Sequence, residues 1–413
     1  MKKPGGAPPV KKALEIGGNG VALHFLSQAS MRARKNKVCV LSPGGFSDNS
    51  KYMYAYLYTN LKKIDPSLEL YWLCHSPGEN EELRAAGVNS FLFSRNSGVL
   101  QRLIETRYVF VSTHHLAHSS YCYMQVALSG ATKIQMWHGV PAKHIAYQLL
   151  SNQPPNKFAY YSYDCLSADY VTAESEFVRP RYQEAFPNAD ILVTGSPRTD
   201  ILLEGGDDIA FSEINTDPAV IAQMRDVRQN GGRTVLYCPT FRAKIQDRSG
   251  FLQEIRKFIE GCAKDENCLL VIKNHKVSID TPGIREMVQA LDTTRVLIVD
   301  PRGDIYPYLR EAEVLVTDYS SIYYDYLLTG RRIVFFQPDR EAYLEIRDIY
   351  DERDVSGYEV GEYVIDGADC AALLNASEDS KYAADREKLT KLIFEYDKSS
   401  SCKRVVDRVI PRH

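Results

Sequence analysis

No run of the 413 residues approaches the roughly 18 consecutive apolar positions that a membrane-spanning helix needs, so no segment is expected to cross a bilayer. The opening stretch, Met1 to Pro9, is polar and rich in Pro and Gly, unlike the apolar core of a secretory signal. The nine cysteines include no CxxC pair and no metal-ligand spacing. Several of them, such as Cys39, Cys74 and Cys238, sit inside apolar, strand-like runs, as buried thiols do in a reducing compartment. A net charge of −3 supplies no basic field and no general case for nucleic acid. Two motifs are also missing. No GxGxxG follows the first strand, and no hydroxyl or acid sits in a GxSxG elbow, so neither a dinucleotide fingerprint nor acyl transfer is supported. A cytoplasmic, soluble protein is the expectation, with room for peripheral contact with a surface.

What is present is a long α/β pattern. At 413 residues the chain exceeds one ordinary core, and its 44% apolar and 25% charged content is that of a globular protein, so two domains are expected. Residues 1–37 carry eight basic side chains (Lys2, Lys3, Lys11, Lys12, Arg32, Arg34, Lys35, Lys37) against the single acid Glu15. Val21, Leu23, Phe25 and Leu26 add a short apolar patch. Two readings stand side by side: an arm touching an anionic membrane surface, and a disordered solubilising tail. Gly17, Gly18 and Gly20 argue against a long, stable helix there.

Strand-like runs at Val38–Ser42, Leu68–Cys74, Ser90–Phe93, Tyr108–Ser112, Lys133–Met136, Tyr170–Ala173 and Ile191–Thr194 alternate with helical patterns, giving a first doubly wound domain over 38–204. From Glu204 to Gly232 the periodicity fades between Gly-rich punctuation, so 205–232 reads as a linker. A second alternation fills 233–400, with strands at Thr234–Cys238, Leu269–Ile272, Val296–Val299, Val314–Asp318 and Ile333–Phe336, and 401–413 reads as a tail. The expected fold class is α/β, GT-B: two Rossmann-like doubly wound domains facing a cleft.

The polar residues fall where such a fold would use them. His138, Arg198, Arg242, His275, Asp318, Ser320 and Ser321 all lie at or just past the carboxyl end of an expected strand, and so are expected at the cleft. Their types suit phosphate chemistry: guanidinium forks, imidazoles, and hydroxyls where a strand turns into a helix. Ser320 and Ser321 have a competing role as simple helix caps. His138 stands between Trp137 and Gly139, where glycine permits close backbone approach and a neutral imidazole can take a proton near pH 7. Arg198 and Asp200 read rather as a structural pair capping the helix that follows. His114, His115 and His118 lack the companion Cys or Glu that a zinc site would want, and His75 reads as structural. No carboxylate cluster demands a divalent ion, so no metal and no cofactor are expected.

Five segments together carry a family resemblance: MWHGVPAKHI (136–145), VTGSPRTDIL (193–202), VLYCPTFR (235–242), VIKNH (271–275) and DIYPYLREAEVLVTDYSSIYYDYL (304–327). With RRIVFFQPDREAY (331–343) they resemble, in order, the CDP-glycerol:poly(glycerophosphate) glycerophosphotransferase family of teichoic-acid and capsular polymer synthesis, over about residues 38–400. One departure is Lys276 after His275, where the family usually has Pro. The resemblance implies transfer of glycerol phosphate from CDP-glycerol to a hydroxyl of a lipid-linked saccharide acceptor, at the inner face of the cell membrane. It makes the first domain the acceptor domain and the second the CDP-donor domain. It implies that His138, next to Gly139, is the base on the acceptor hydroxyl. Arg242 and His275 would hold the donor pyrophosphate, His275 assisting departure of CMP. Thr240, Ser320 and Ser321 would bind phosphate, Asp318 would shape their turn, and Arg198 would support the site. CDP-ribitol as donor, and a GT-B enzyme using a UDP-sugar, remain alternatives. The compact length resembles the priming enzymes more than the longer polymerases.

Overall fold

In the computed structural model the described residues are 9–42, 44–112, 122–152, 158, 162–163, 165–203, 208–240, 249–274, 284–291, 294–344, 355–375, 380–396 and 400–411. Two parallel sheets dominate. The first contains β1 (Lys37–Leu41), β2 (Glu69–Cys74), β3 (Ser90–Leu92), β4 (Thr106–Val111), β5 (Thr132–Gln135), β6 (Tyr170–Ala173) and β7 (Asp190–Val193), in the order β3-β2-β1-β4-β5-β6-β7. The second contains β8 (Arg233–Cys238), β9 (Cys268–Ile272), β10 (Val296–Ile298), β11 (Val314–Thr317), β12 (Arg332–Phe336) and β13 (Glu362–Val364), in the order β10-β9-β8-β11-β12-β13. Each sheet therefore begins in the middle, winds outwards, returns to the middle and winds the other way. The reversal leaves a crevice beyond the carboxyl ends of β1 and β4 in one sheet, and of β8 and β11 in the other.

The central strands are legible because parallel sheets are covered on both faces and need unbroken apolar runs. Every residue of β1, β9, β11 and β12 is buried. Successive side chains of β1 go to opposite faces: Val38 and Val40 join one core cluster, Cys39 and Leu41 another. The first of these clusters is continuous from the inner face of the first sheet, through Leu236 and Leu315 of the second, to Val405 and Val406 near the carboxyl terminus. Cys39, Cys74 and Cys238 are free and buried.

Four helical stretches differ from the sequence-based expectation. Residues Pro9–Arg32 form one helix despite their glycines. Its last turns dock on the first half: Ser30 Oγ donates to Ala127 O at 2.6 Å and accepts from Gly130 N at 3.1 Å. Tertiary anchoring of this kind outweighs the local cost of glycine. The stretch with faded periodicity contains the helix Pro218–Gln229, capped at its start by the Asp217 side chain. Ser401–Val409, expected within a tail, is a helix whose Val405, Val406 and Val409 are buried. Tyr306–Glu311, which begins with Tyr-Pro, is a short buried helix. The strand β13 was also hidden, because three residues at a sheet edge with an exposed Tyr363 give too short a pattern to recognise.

Candidate active site

A cleft of about 670 Å³ lies between the carboxyl ends of the two sheets. Its walls come from the loops after β1 (Ser47, Asp48), β5 (Trp137, His138, Gly139), β8 (Pro239, Thr240), β9 (Lys273, Asn274), β10 (Asp304) and β11 (Ser320, Ser321). Of the residues singled out by sequence, His138, Gly139, Thr240, Ser320 and Ser321 line it. Asp318 and Arg198 do not; both are buried beneath it. Arg242 and His275 lie outside the described residues, as do His114, His115 and His118. Among the described residues no three His, Cys, Asp or Glu side chains gather as a metal-ligand set.

Side chains of neighbouring elements hold the loop after β5 by its carbonyls, while Trp137 N donates to Gln135 Oε1 at 2.8 Å and Met136 N to Val111 O at 2.8 Å. Asn49 Nδ2 donates to Met136 O at 2.8 Å and to Trp137 O at 3.0 Å. Tyr182 Oη donates to Gly139 O at 3.1 Å, and an Arg181 Nη atom to Pro141 O at 2.7 Å. Trp137 has a φ of 53°, a left-handed conformation that costs a bulky residue on the order of 1–2 kcal/mol and persists only where the surroundings enforce it. Its indole is buried against Phe186, with ring centroids 5.4 Å apart, while the adjacent imidazole of His138 is exposed. A Cβ placed on Gly139 would come 3.0 Å from Ser321 Oγ, so the two halves approach closely here and a side chain would push that hydroxyl aside.

The turn after β11 is built around a carboxylate, with two of its carbonyls, Asp318 O and Tyr319 O, bonded as well. The Asp318 carboxylate accepts from Thr240 N at 2.9 and 3.0 Å, from Thr240 Oγ1, and from Tyr319 N at 2.6 Å. Gln337 Nε2 donates to Asp318 O at 3.0 Å. The Thr240 hydroxyl proton is thereby committed to Asp318. Ser321 occupies the position before the helix Ile322–Leu327, yet its hydroxyl caps nothing; Ser320 Oγ accepts a long 3.4 Å bond from Ile322 N. The N–H groups of Ser320 and Ser321 donate to no acceptor among the described residues.

Two buried ion pairs join the halves under the cleft. Arg198 donates to both Asp325 oxygens at 2.9 and 3.0 Å, and lies 3.4 Å from Glu174 Oε1; Tyr306 Oη adds a 2.7 Å bond to Asp325. Lys51 Nζ reaches Asp304 at 2.8 Å and two backbone carbonyls at 2.7 Å, and Tyr52 Oη donates to Asp304 at 2.7 Å. Burial raises the pKa of the Glu174 carboxyl, against the pull of Arg198. Burial lowers that of the Lys51 ammonium, against the pull of Asp304. These contacts correct the expected Arg198–Asp200 pair. Arg198 turns into the interior to meet Asp325, and Asp200 instead receives Ser400 Oγ, Ser401 N and Cys402 N at the start of the Ser401–Val409 helix. A guanidinium spent on two buried carboxylates is not offered to the cleft.

Several cleft residues escaped the sequence reading, among them the charged Asp48, Lys143, Lys273 and Asp325. Asp48 starts the helix Asp48–Ile64 with a φ of 60°. Lys273 is buried along its stem, its ammonium 3.2 and 3.1 Å from Asp300 O and Pro301 O. Lys143 Nζ crosses to Tyr319 O at 3.2 Å and Tyr343 Oη at 3.1 Å, beside a Tyr319–Tyr343 ring stack at 3.8 Å. Asp325 sits on the helix after Ser321. Lys143, Lys273 and Asp325 lie inside the quoted segments, so the signal was present but not separated from its neighbours.

Two doubly wound parallel sheets with a cleft between their carboxyl ends define a GT-B protein. The model of the CDP-glycerol:poly(glycerophosphate) glycerophosphotransferase family matches residues 23–411, and the chain belongs to that family. It is 24% identical over 286 residues to the teichoic acid ribitol-phosphate polymerase TarL of Staphylococcus aureus, covering 66% of this chain and 46% of the relative. Against the teichoic acid ribitol-phosphate primase of Bacillus spizizenii it is 24% identical over 349 residues, 80% of each chain. Against the teichoic acid poly(glycerol phosphate) polymerase of Staphylococcus epidermidis it is 21% identical over 338 residues, 78% of this chain and 43% of the relative. The matches thus span about half of each of these two polymerases. Among solved structures, a variant of the wall teichoic acid polymerase TagF superposes with a TM-score of 0.70 at 19% identity, covering 97% of this chain and 96% of that one. A UDP-GlcNAc 2-epimerase from Neisseria meningitidis, bound to UDP-GlcNAc, gives 0.52 at 13% identity over 90% and 98%. No helix among the described residues is long and apolar enough to cross a membrane.

Proposed function

We propose that this protein transfers a polyol phosphate, in the first instance glycerol phosphate, from its CDP-activated donor to an acceptor hydroxyl, releasing CMP. The observation that carries this reading is the meeting of two loops across the cleft. One presents an exposed imidazole, His138; the other presents the open N–H groups and hydroxyls of Ser320 and Ser321. In the proposed reaction the acceptor oxygen attacks the phosphorus that bears the polyol. A new P–O bond forms, the P–O bond to the CMP phosphate breaks, and the acceptor proton passes to the His138 imidazole. Ser320 and Ser321 receive the phosphate oxygens, Lys273 adds positive charge from the neighbouring loop, and Asp318 keeps the turn in shape through Thr240. Arg242 and His275 are assigned to the donor pyrophosphate, with His275 offsetting the charge that develops on CMP. In this assignment the first half, 38–204, handles the acceptor and the second, 233–400, the donor.

The acceptor is taken to be a lipid-linked saccharide at the inner face of the cell membrane, with one addition favoured over polymerisation. Val21, Phe25 and Met31 are exposed on the docked helix Pro9–Arg32, near the exposed Arg32 and Arg34, a combination that suits an anionic lipid surface. A second reading, CDP-ribitol as donor, is favoured by the ribitol-phosphate primase that matches four-fifths of both chains. The test is CMP release from CDP-glycerol and from CDP-ribitol, with and without a lipid-disaccharide acceptor, followed by product length. Acceptor-dependent release from CDP-glycerol alone, ending after one addition, is the expected result. Release from CDP-ribitol alone selects the second reading, a product ladder makes the protein a polymerase, and no release from either donor overturns both.

A further inference from the structure

The side chain of Asn49 has no solvent exposure and makes three hydrogen bonds, none of them to its own helix. Its Nδ2 donates to Met136 O and Trp137 O, and its Oδ1 accepts from Arg198 N at 2.9 Å. The amide orientation is fixed by its partners, because a flipped group would set oxygen against two carbonyls and NH₂ against an N–H. One residue therefore ties together the loops that follow β1, β5 and β7. Trp137 O belongs to the peptide that joins Trp137 to His138, so the bond to it sets the plane from which the His138 side chain departs. That plane is an unusual one, since Trp137 has a φ of 53°.

We propose that Asn49 is a positioning residue for the transfer reaction: it holds the Trp137–His138 peptide in the left-handed conformation that presents the imidazole to the acceptor hydroxyl. This rests on the reading of His138 as the base. Asn49 touches no reacting atom. It acts through the backbone of the residue that does, and the carbonyl bonds from Tyr182 and Arg181 hold the loop on the other side of His138. Removing the Asn49 donors takes a hydrogen bond from Trp137 O and leaves Met136 O with a longer one, 3.4 Å from Thr172 Oγ1. Trp137 N stays with Gln135 Oε1 at 2.8 Å, so the freed unit is the Trp137–His138 peptide, whose rotation swings the imidazole away.

The test is a double-mutant cycle on the full chain, using Asn49→Asp, His138→Ala and the combination, read as kcat for CMP release, donor Kd by calorimetry, and Tm. Asn49→Asp keeps the shape but turns two donors into acceptors facing carbonyls. It is expected to lower kcat by about 10–100-fold while donor Kd moves by less than about 3-fold. In the His138→Ala background the same change is expected to cost no further turnover. Where the aspartate prevents folding, Asn49→Ser, neutral and smaller, carries the same cycle. Full turnover in the single Asn49 variant, or losses that multiply in the double variant, would overturn the proposal. Normal turnover in His138→Ala alone would instead overturn the assignment of the base, so the two failures are distinguishable.

Discussion

The loop after β5 and the turn after β11 face one another and differ in their main anchor, side-chain donors on a row of carbonyls in the first and one carboxylate in the second. In the first, Asn49, Tyr182 and Arg181 donate to the carbonyls of Met136, Trp137, Gly139 and Pro141. In the second, a single carboxylate, Asp318, accepts from Thr240 and Tyr319. Pinning carbonyls fixes a backbone so that one side chain, His138, stands in the cleft. Asp318 satisfies the Thr240 and Tyr319 donors, and the next two N–H groups, those of Ser320 and Ser321, have no acceptor among the described residues. One wall thus offers a proton acceptor and the other a set of donors, a division of labour suited to moving a phosphoryl group between two oxygens.

This division can be broken from either side. His138→Ala should lower kcat by about 10²–10⁴-fold with donor Kd nearly unchanged, measured by CMP release and calorimetry. A loss of donor affinity with normal turnover would erase the difference between the walls. Asp325→Ala removes the floor on which both rest. It strands the Arg198 guanidinium beside Glu174 and should cost about 3–5 kcal/mol in chemical unfolding, whereas Asp325→Asn should cost less. Asp318→Ala should act on the donor wall, raising donor Kd by roughly 10-fold or more as Thr240 and Tyr319 lose a charged acceptor, with a smaller effect on kcat at saturating donor. A kcat effect equal to that of His138→Ala would argue against separate roles.

The smallest effect belongs to the first half alone. Burial pushes the His75 imidazole down to about 4 from its ordinary 6.5. The folded protein therefore resists a proton that the unfolded chain accepts, and stability falls as pH drops from about 6.5 towards 4. His75→Gln should flatten the dependence of Tm on pH across that window while leaving the values above pH 7 nearly in place. An unchanged slope would place the acid sensitivity elsewhere.

Most of the scaffold was legible because buried parallel strands are written as unbroken apolar runs, and among the described residues twelve of the thirteen strands sit where such runs occur. The strand ends then marked the cleft, since the fold gathers them wherever they lie in sequence. What the pattern could not separate was a polar residue that faces the cleft from one that passes beneath it. Arg198 and Asp318 stand at strand ends like Ser320 and Ser321; a structural part was expected for both, but their partners, Asp325 and Glu174 for Arg198 and Thr240 for Asp318, were not. Asn49 gave no signal at all, because its side-chain partners are backbone groups, two carbonyls and one N–H, which nearly every residue has.

The helix Ser401–Val409 has a further consequence. The chain leaves the first sheet after β7, builds the second, and returns to lie against Asp200 and Tyr52 of the first half. The two lobes are therefore connected by two covalent segments rather than one. A body hung on one tether can twist freely, but a body hung on two swings like a door, about the line that joins the attachments. A cleft so tethered has fewer ways to open, and the buried Arg198–Asp325 and Lys51–Asp304 pairs join its two walls from beneath.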